Sequence, residues 1–306
     1  MAIQTTSLVT PSEELATPAR DRINGRRWWR SMSWRYLVAI AICVYALIPV
    51  LYIISAALNP IGSVASTNVL PSTISWVNFE ALVNNPNRPF FRWYANTLVV
   101  AFVVVFVQLT FSSFGAYAFS RLRFRGRRSG LLALLLIQMF PGILVMVALF
   151  RMFGMIGEIV PGLGLDTLAG YTFIMLGGSL GGVFLMKGIF DSIPHELDEA
   201  AKIDGAGHFR IFATVIMPLV RSVLVISGLL TLVGVIGEFL LASIFLRSNG
   251  VKTVAVGLYG VLMSDRSNNL GWFAAASICL AVPVVLLFQW LQKYIVGGIT
   301  AGSVKG

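Results

Sequence analysis

The chain has 306 residues, of which 57% are apolar and only 12% charged, and its mean hydropathy is +0.82. Soluble domains carry about a quarter charged and just under half apolar residues, so this composition excludes a soluble enzyme, a disordered chain and a secreted disulfide scaffold. In water such a globule would expose apolar patches and aggregate; lipid is the solvent that fits. The net charge of +10 keeps nucleic acid open as a partner until the basic residues are placed. Cys43 and Cys279 both lie in apolar runs and read as small buried hydrophobes, without the spacing of a disulfide framework or a Cys-rich metal site.

A bilayer core of ~30 Å takes about 20 apolar residues as helix. Six runs qualify: residues 36–58, 94–119, 130–150, 165–186, 223–245 and 272–294. The first follows a polar tail, is too long for a signal-peptide core and lacks a small-residue cleavage site, which predicts a retained anchor. The fourth is diluted by Gly177, Gly178, Gly181 and Gly182, whose spacing suits close helix packing in lipid. The run 251–263 is too short to cross; with Gly257 and Gly260 it reads as an external loop or a partly buried edge.

Basic residues set the direction. With both termini inside, the tail supplies Arg20, Arg22, Arg26, Arg27, Arg30 and Arg35, and the next inner loop Arg121, Arg123, Arg125, Arg127 and Arg128. A long inner segment adds Lys187, Lys202, Arg210 and Arg221, and the C-terminus Lys293 and Lys305. Only Arg88, Arg92, Arg151, Arg247, Lys252 and Arg266 remain outside, so 17 of the 23 basic residues lie on one side. The predicted organisation is a cytoplasmic tail (1–35), a first span with its external loop (36–93), a transmembrane core (94–294) with an inner segment at 187–221, and a C-terminal tail (295–306). Because the basic residues flank spans, they are topology signals that also suit anionic headgroups. No basic face on a folded domain is left for nucleic acid.

The chain contains no G-x-x-x-x-G-K-[ST], no H-E-x-x-H and no G-x-S-x-G, so it carries no P-loop, zincin or nucleophile-elbow signature. His195 and His208 share one inner loop without a nearby cysteine, a poor start for a metal site. Glu238 is the acidic residue well inside a predicted span. Such a group faces the bundle interior or a water-filled cavity, where it either lines a pathway or anchors helices by hydrogen bonds. A single buried acid is few for an ion-coupled carrier, although backbone carbonyls can also hold sodium.

The inner segment is the most informative stretch. Ser192 and Pro194 suit a helix start. Glu196, Asp198 and Glu199 favour the first turn through the helix dipole, and Gly205 suits the left-handed stop. A second short helix is expected over 208–215, before Pro218. Leu197, Ala200, Ala201 and Asp204 recur at helical spacing, a small-residue stripe with Glu199 beside it as an acceptor. The stripe fits either a partner protein or the headgroup region.

Glu199-Ala200-Ala201, then Gly205, then Val215-Ile216-Met217-Pro218 resemble the EAA motif of ABC importer permeases: E-A-A, three residues, G, nine residues, I, one residue, L-P. The spacing matches throughout; Val215 and Met217 replace Ile and Leu. Ala116-Tyr117-Ala118-Phe119-Ser120-Arg121, Gly237-Glu238-Phe239-Leu240-Leu241-Ala242 and the ending from Gly297 to Gly306 resemble the carbohydrate-uptake branch of maltose-permease type. The resemblance runs from about Leu37 onward and leaves out the Arg-rich tail.

This resemblance implies an all-α membrane protein with six transmembrane helices and the type I ABC importer permease fold, in a bacterial or archaeal cytoplasmic membrane. It implies a non-enzymatic subunit that pairs with a second permease, two cytoplasmic ATPases and an extracellular or periplasmic sugar-binding protein. This chain would hold no cofactor, since ATP and magnesium would be bound by the ATPases. The loop with Glu199, Ala200, Ala201, Gly205 and Pro218 would be the ATPase-coupling element, Glu238 a pathway residue, and the cargo a maltose- or trehalose-like α-glucoside. The rival readings are a secondary carrier or channel without an ATPase, and a non-transporting scaffold.

Overall fold

The computed structural model describes residues 25–60, 73–265 and 269–302. The tail up to residue 24, with Arg20 and Arg22, lies outside the described residues, as do Arg266 and the last four residues, including Lys305. Among the described residues every regular element is helical. In chain order they are α1 (Gly25–Leu58), α2 (Val77–Asn84), α3 (Phe90–Arg121), α4 (Arg127–Gln138), α5 (Gly142–Ile159), α6 (Leu168–Met175), α7 (Ser179–Asp191), α8 (Glu196–Ile203), α9 (His208–Ile211), α10 (Met217–Leu219), α11 (Arg221–Gly237), α12 (Leu240–Phe245), α13 (Val254–Ser264) and α14 (Leu270–Gly302).

Five stretches are long and apolar enough to cross a membrane: Met32–Leu58, Phe90–Arg121, Gly142–Ile159, Leu168–Asp191 and Leu270–Tyr294. A sixth forms if His208–Leu219 and Arg221–Gly237, bent by 77°, are taken as one. The predicted third span needs correction. Its helix breaks at 139–141 and then continues to Ile159, so Arg151 and Glu158 lie on α5 rather than in a loop. Pro141 explains the break, because its ring excludes the preceding residue from helical backbone and it has no N–H to donate. The predicted fifth span likewise stops at Gly237 and restarts at Leu240. The stretch read as a loop or edge at 251–263 is a helix, α13, with Val254, Val256, Leu258 and Val261 buried.

The N-terminal unit ends at Val50; within it every side chain from Trp34 to Val50 is exposed. In the remaining unit, α3 is the axis. Near its start Phe90 and Trp93 pack with Trp272, Leu258 and Ala56. Midway, Val100 and Val104 pack with Leu232, Tyr171 and Phe245. Near its end Ala116 and Tyr117 pack with Phe190, Ile211 and Ile216. Gly178 and Gly182 let α7 close on α3: a Cβ on either would fall 2.6 Å from Gln108 Nε2 or 2.2 Å from Ser112 Oγ.

The basic residues also segregate. At the Phe90 end, Arg92 Nε donates to the Gly250 carbonyl at 2.8 Å and Arg88 Nη1 to Asn269 Oδ1 at 3.0 Å. There Asp166, in left-handed backbone at φ +59°, accepts from the Arg247 and Ser248 amides at 2.7 and 2.8 Å and from the Ser248 hydroxyl. Arg121, Arg127, Lys187 and His195 gather at the other end of α3.

Candidate functional site

α8 is a short helix that starts at His195 without a side-chain cap; Ser192, expected at its start, ends α7 and donates its hydroxyl to the Ile189 carbonyl at 2.7 Å. The His195 carbonyl accepts from the Asp198 and Glu199 amides at 3.0 and 3.1 Å. Glu196, Asp198 and Glu199 occupy the first turn and Lys202 the last, in the order the helix dipole favours. Gly205 has φ +79°, as expected. Its amide donates to the Lys202 carbonyl at 3.0 Å, and the Ala206 amide reaches back to Ala201 at 2.9 Å. Those two bonds form a Schellman stop.

The two faces of α8 differ from the predicted stripe. Asp198 is buried and Ala201 packs half-buried against the Ile211–Phe212 cluster. Glu196, Glu199, Ala200 and Ile203 point outward and are exposed. Thus Ala201 belongs to the core and Ala200 to the surface. Ile203 is 87% exposed and Phe209, just past the turn, 72%; Leu197, on another flank of the helix, is also exposed. The Glu199 carboxylate has no partner among the described residues.

A charge cluster holds the inner face of α8. Arg121, the last residue of α3, brings Nε to 2.9 Å from Asp198 Oδ2, with only 3% and 7% of the two side chains exposed. Its Nη2 donates to the Ile193 carbonyl at 2.9 Å, and Nη1 lies 3.0 Å from His195 Nδ1. Next to it, Ser120 Oγ donates to Asp191 Oδ1 at 2.6 Å, and Lys187 pairs with Asp191. Tyr117 donates its hydroxyl to the His208 carbonyl at 3.1 Å. Sequence reasoning counted Arg121 as a topology signal and Asp198 as a first-turn acid. The available clue was that Asp198 and Ala201, three apart, share a helix face.

The second helix of the segment runs past its expected end. α9 passes through a π-turn (Phe212–Ile216) into α10, so Pro218 lies inside the helical stretch rather than after it. Pro218 has no N–H for the carbonyl four residues back. The 77° corner to α11 follows directly, with Val220 alone between the two helices.

Glu238 sits at the α11–α12 break. Its Oε1 accepts from the Leu241 amide at 2.7 Å and its Oε2 from the Ala242 amide at 2.8 Å. Tyr171 of α6 donates its hydroxyl to the same Oε2 at 2.9 Å. The carboxylate therefore caps α12 and ties it to α6, and it stands apart from the α8 cluster.

The profile of the family described as "binding-protein-dependent transport system inner membrane component" matches residues 108–300. The chain belongs to this family. As a permease it is 36% identical to the maltose/maltodextrin transport system permease protein MalG of Photorhabdus laumondii, over 90% of this chain and 98% of that one. It is 37% identical to the maltodextrin permease MdxG of Bacillus subtilis (89% and 95%) and 34% to the galactooligosaccharides permease GanQ of the same organism (92% and 98%). Among solved structures, the permease is similar to a chain of a bacterial ABC transporter involved in the import of the acidic polysaccharide alginate, with TM-score 0.71, 26% identity and coverage of 88% and 98%. The family assignment makes it a transport subunit of multi-pass membrane type.

Proposed function

We propose that this permease is one of two membrane subunits of an ATP-driven oligosaccharide importer, and that α8 is where the ATPase docks. The observation that carries this is the outward face of the α8 turn. It leaves Glu199 and Ile203, one turn apart on the same face, and Phe209 past the turn all exposed, with Leu197 exposed on the helix flank, on a helix whose opposite face is fixed by a buried ion pair. An unburied apolar face with an unpaired charge on a rigid support is the anatomy of a protein interface.

In this reading Glu199 anchors the partner by a charge-assisted hydrogen bond and Ala200 permits close approach. Ala201 and Gly205 hold the turn, and Pro218 sets the corner. Both termini and α8 lie in the cytoplasm, in keeping with 17 of 23 basic residues on that side. Two ATPases bind the ATP and magnesium, and a second permease completes the passage. An external binding protein delivers the sugar, as the family description implies. Relatives named for maltose and maltodextrin transport point to a neutral α-glucoside, maltose- or trehalose-like, while the galactooligosaccharide permease shares only the broader class of neutral oligosaccharides. Glu238 serves as a hydrogen-bond anchor beside that passage.

Glu199→Lys tests the assignment. Inverting an interface charge costs roughly 2–5 kcal/mol of docking energy. We expect the variant to insert at normal levels, to lose the co-purifying ATPase and to stop ATP-driven sugar uptake. Uptake at the wild-type rate would refute the role of α8.

A further inference from the structure

Between α3, α7 and α11 lies a cleft of about 170 Å³ lined by Gln108, Ser112, Gly178, Gly182, Ser227 and Thr231 among apolar neighbours. Two larger clefts among the described residues, about 300 and 260 Å³, are lined mainly by apolar side chains, with Thr110 and Ser113 in the first. The polar residues here lie deep. Counting 1.5 Å per helical residue, Ser227 and Thr231 sit about 9 and 15 Å from the start of α11, and Ser112 about 13 Å from the end of α3, close to mid-depth of a ~30 Å core.

Most hydroxyls at that depth return to their own helix; Ser113, whose Oγ is buried without a partner, is an exception outside this cleft. Thr110, Thr172 and Ser277 each donate to the carbonyl four residues back, at 2.7, 2.6 and 2.8 Å. Ser112 donates to the Ser179 carbonyl at 3.0 Å, and Gln108 Nε2 to Met175 at 2.7 Å. Ser227 and Thr231 have no hydrogen-bond partner among the described residues. They are one turn apart on α11, so both face the same cleft. Two unpaired hydroxyls facing lipid would carry an uncompensated cost; facing water or a polar solute they carry none.

We infer that this cleft is the permease's wall of the solute passage, and that Ser227 and Thr231 hydrogen-bond the hydroxyl groups of the passing sugar. The inference rests on the sugar-import reading above. Donor–acceptor hydroxyls without a charged group suit a neutral polyol. A cleft below the ~300 Å³ of a full ligand pocket holds one face of a sugar, with the second membrane subunit enclosing the rest. Few and weak contacts also suit a site that must release its cargo.

The test uses the assembled importer carrying Cys43→Ala and Cys279→Ala. In that background Ser227→Cys and Thr231→Cys should react with a membrane-impermeant thiosulfonate, and saturating maltodextrin should slow the reaction. Ser277→Cys, whose native hydroxyl is paired, should stay unreactive. Failure of both positions to react overturns the passage, and reaction that maltodextrin leaves unchanged overturns the sugar contact. Separately, Ser227→Ala with Thr231→Val should raise the apparent KM for uptake by roughly three- to tenfold, the scale of one or two neutral hydrogen bonds, with binding-protein-stimulated ATP hydrolysis retained. An unchanged KM also overturns the contact. If the unsubstituted importer accumulates no maltodextrin, the sugar reading fails instead, while the labelling still decides whether the cleft carries water.

Discussion

Asp198 and Arg121 form a buried pair on which the position of α8 depends. Removing one charge leaves the other stranded in low dielectric, which costs roughly 3–5 kcal/mol. Asp198→Ala should therefore lower the melting temperature of the purified complex and loosen ATPase retention. Replacing both members, as Arg121→Met with Asp198→Leu, should restore most of the melting temperature, because desolvation of the pair offsets much of its attraction. At the opposite end, burial pushes the Asp166 carboxyl up. The Ser248 hydroxyl and the Ser248 and Arg247 amides more than offset this and hold it below the usual carboxylate range. A lowered folded-state pKa means stability that is present above the unfolded value and lost as pH falls through the folded one. The protection factors of the Arg247 and Ser248 amides, that is exchange corrected for the intrinsic rate at each pH, should fall across that acid window. In Asp166→Asn the same amides should already have lower protection at neutral pH, and that protection should no longer change across the window.

Among the elements, the contact of α13 on α3 leaves no room for a side chain at Gly257. A Cβ on Gly257 would stand 2.1 Å from Trp93 Cε3. That indole is buried and donates Nε1 to the Asn249 carbonyl at 2.8 Å, so it cannot swing away without losing a bond. Gly257→Ala should cost roughly 1–3 kcal/mol or more by overpacking, read as a lower melting temperature in detergent. Gly260→Ala, on the same helix with open space around it, is the control and should leave melting unchanged or raise it, since alanine is the better helix former. The same close approach explains why a run that looked like a loop is a helix. Its length cannot span a bilayer, but a small residue facing a tryptophan lets it bury one side within the protein.

At the scale of the whole molecule, composition and basic-residue placement carry the fold class, and the spans appear near where hydropathy puts them. What escaped has physical causes. Pro141 was visible, yet a window averaged over apolar residues does not register one missing N–H. Asp198 turns inward because Arg121, on another element, waits for it, and no local pattern reports that. Glu238 was legible as an unusual acid, but whether it lines a path or caps a helix depends on α12 starting two residues later. The EAA spacing located the α8 turn while leaving its alanines looking alike, although one packs against the core and the other is at the surface. The corner at Val220 carries a further consequence. Val220, buried, is the one residue between α10 and α11, so with that angle held the arm over 208–219 and the span turn together as a bell crank. A sideways stroke of about 3 Å at the tip of the ~18 Å surface arm turns it by about 10°, which sweeps the far end of the ~25 Å span through about 4 Å. That far end is where Tyr171 holds Glu238.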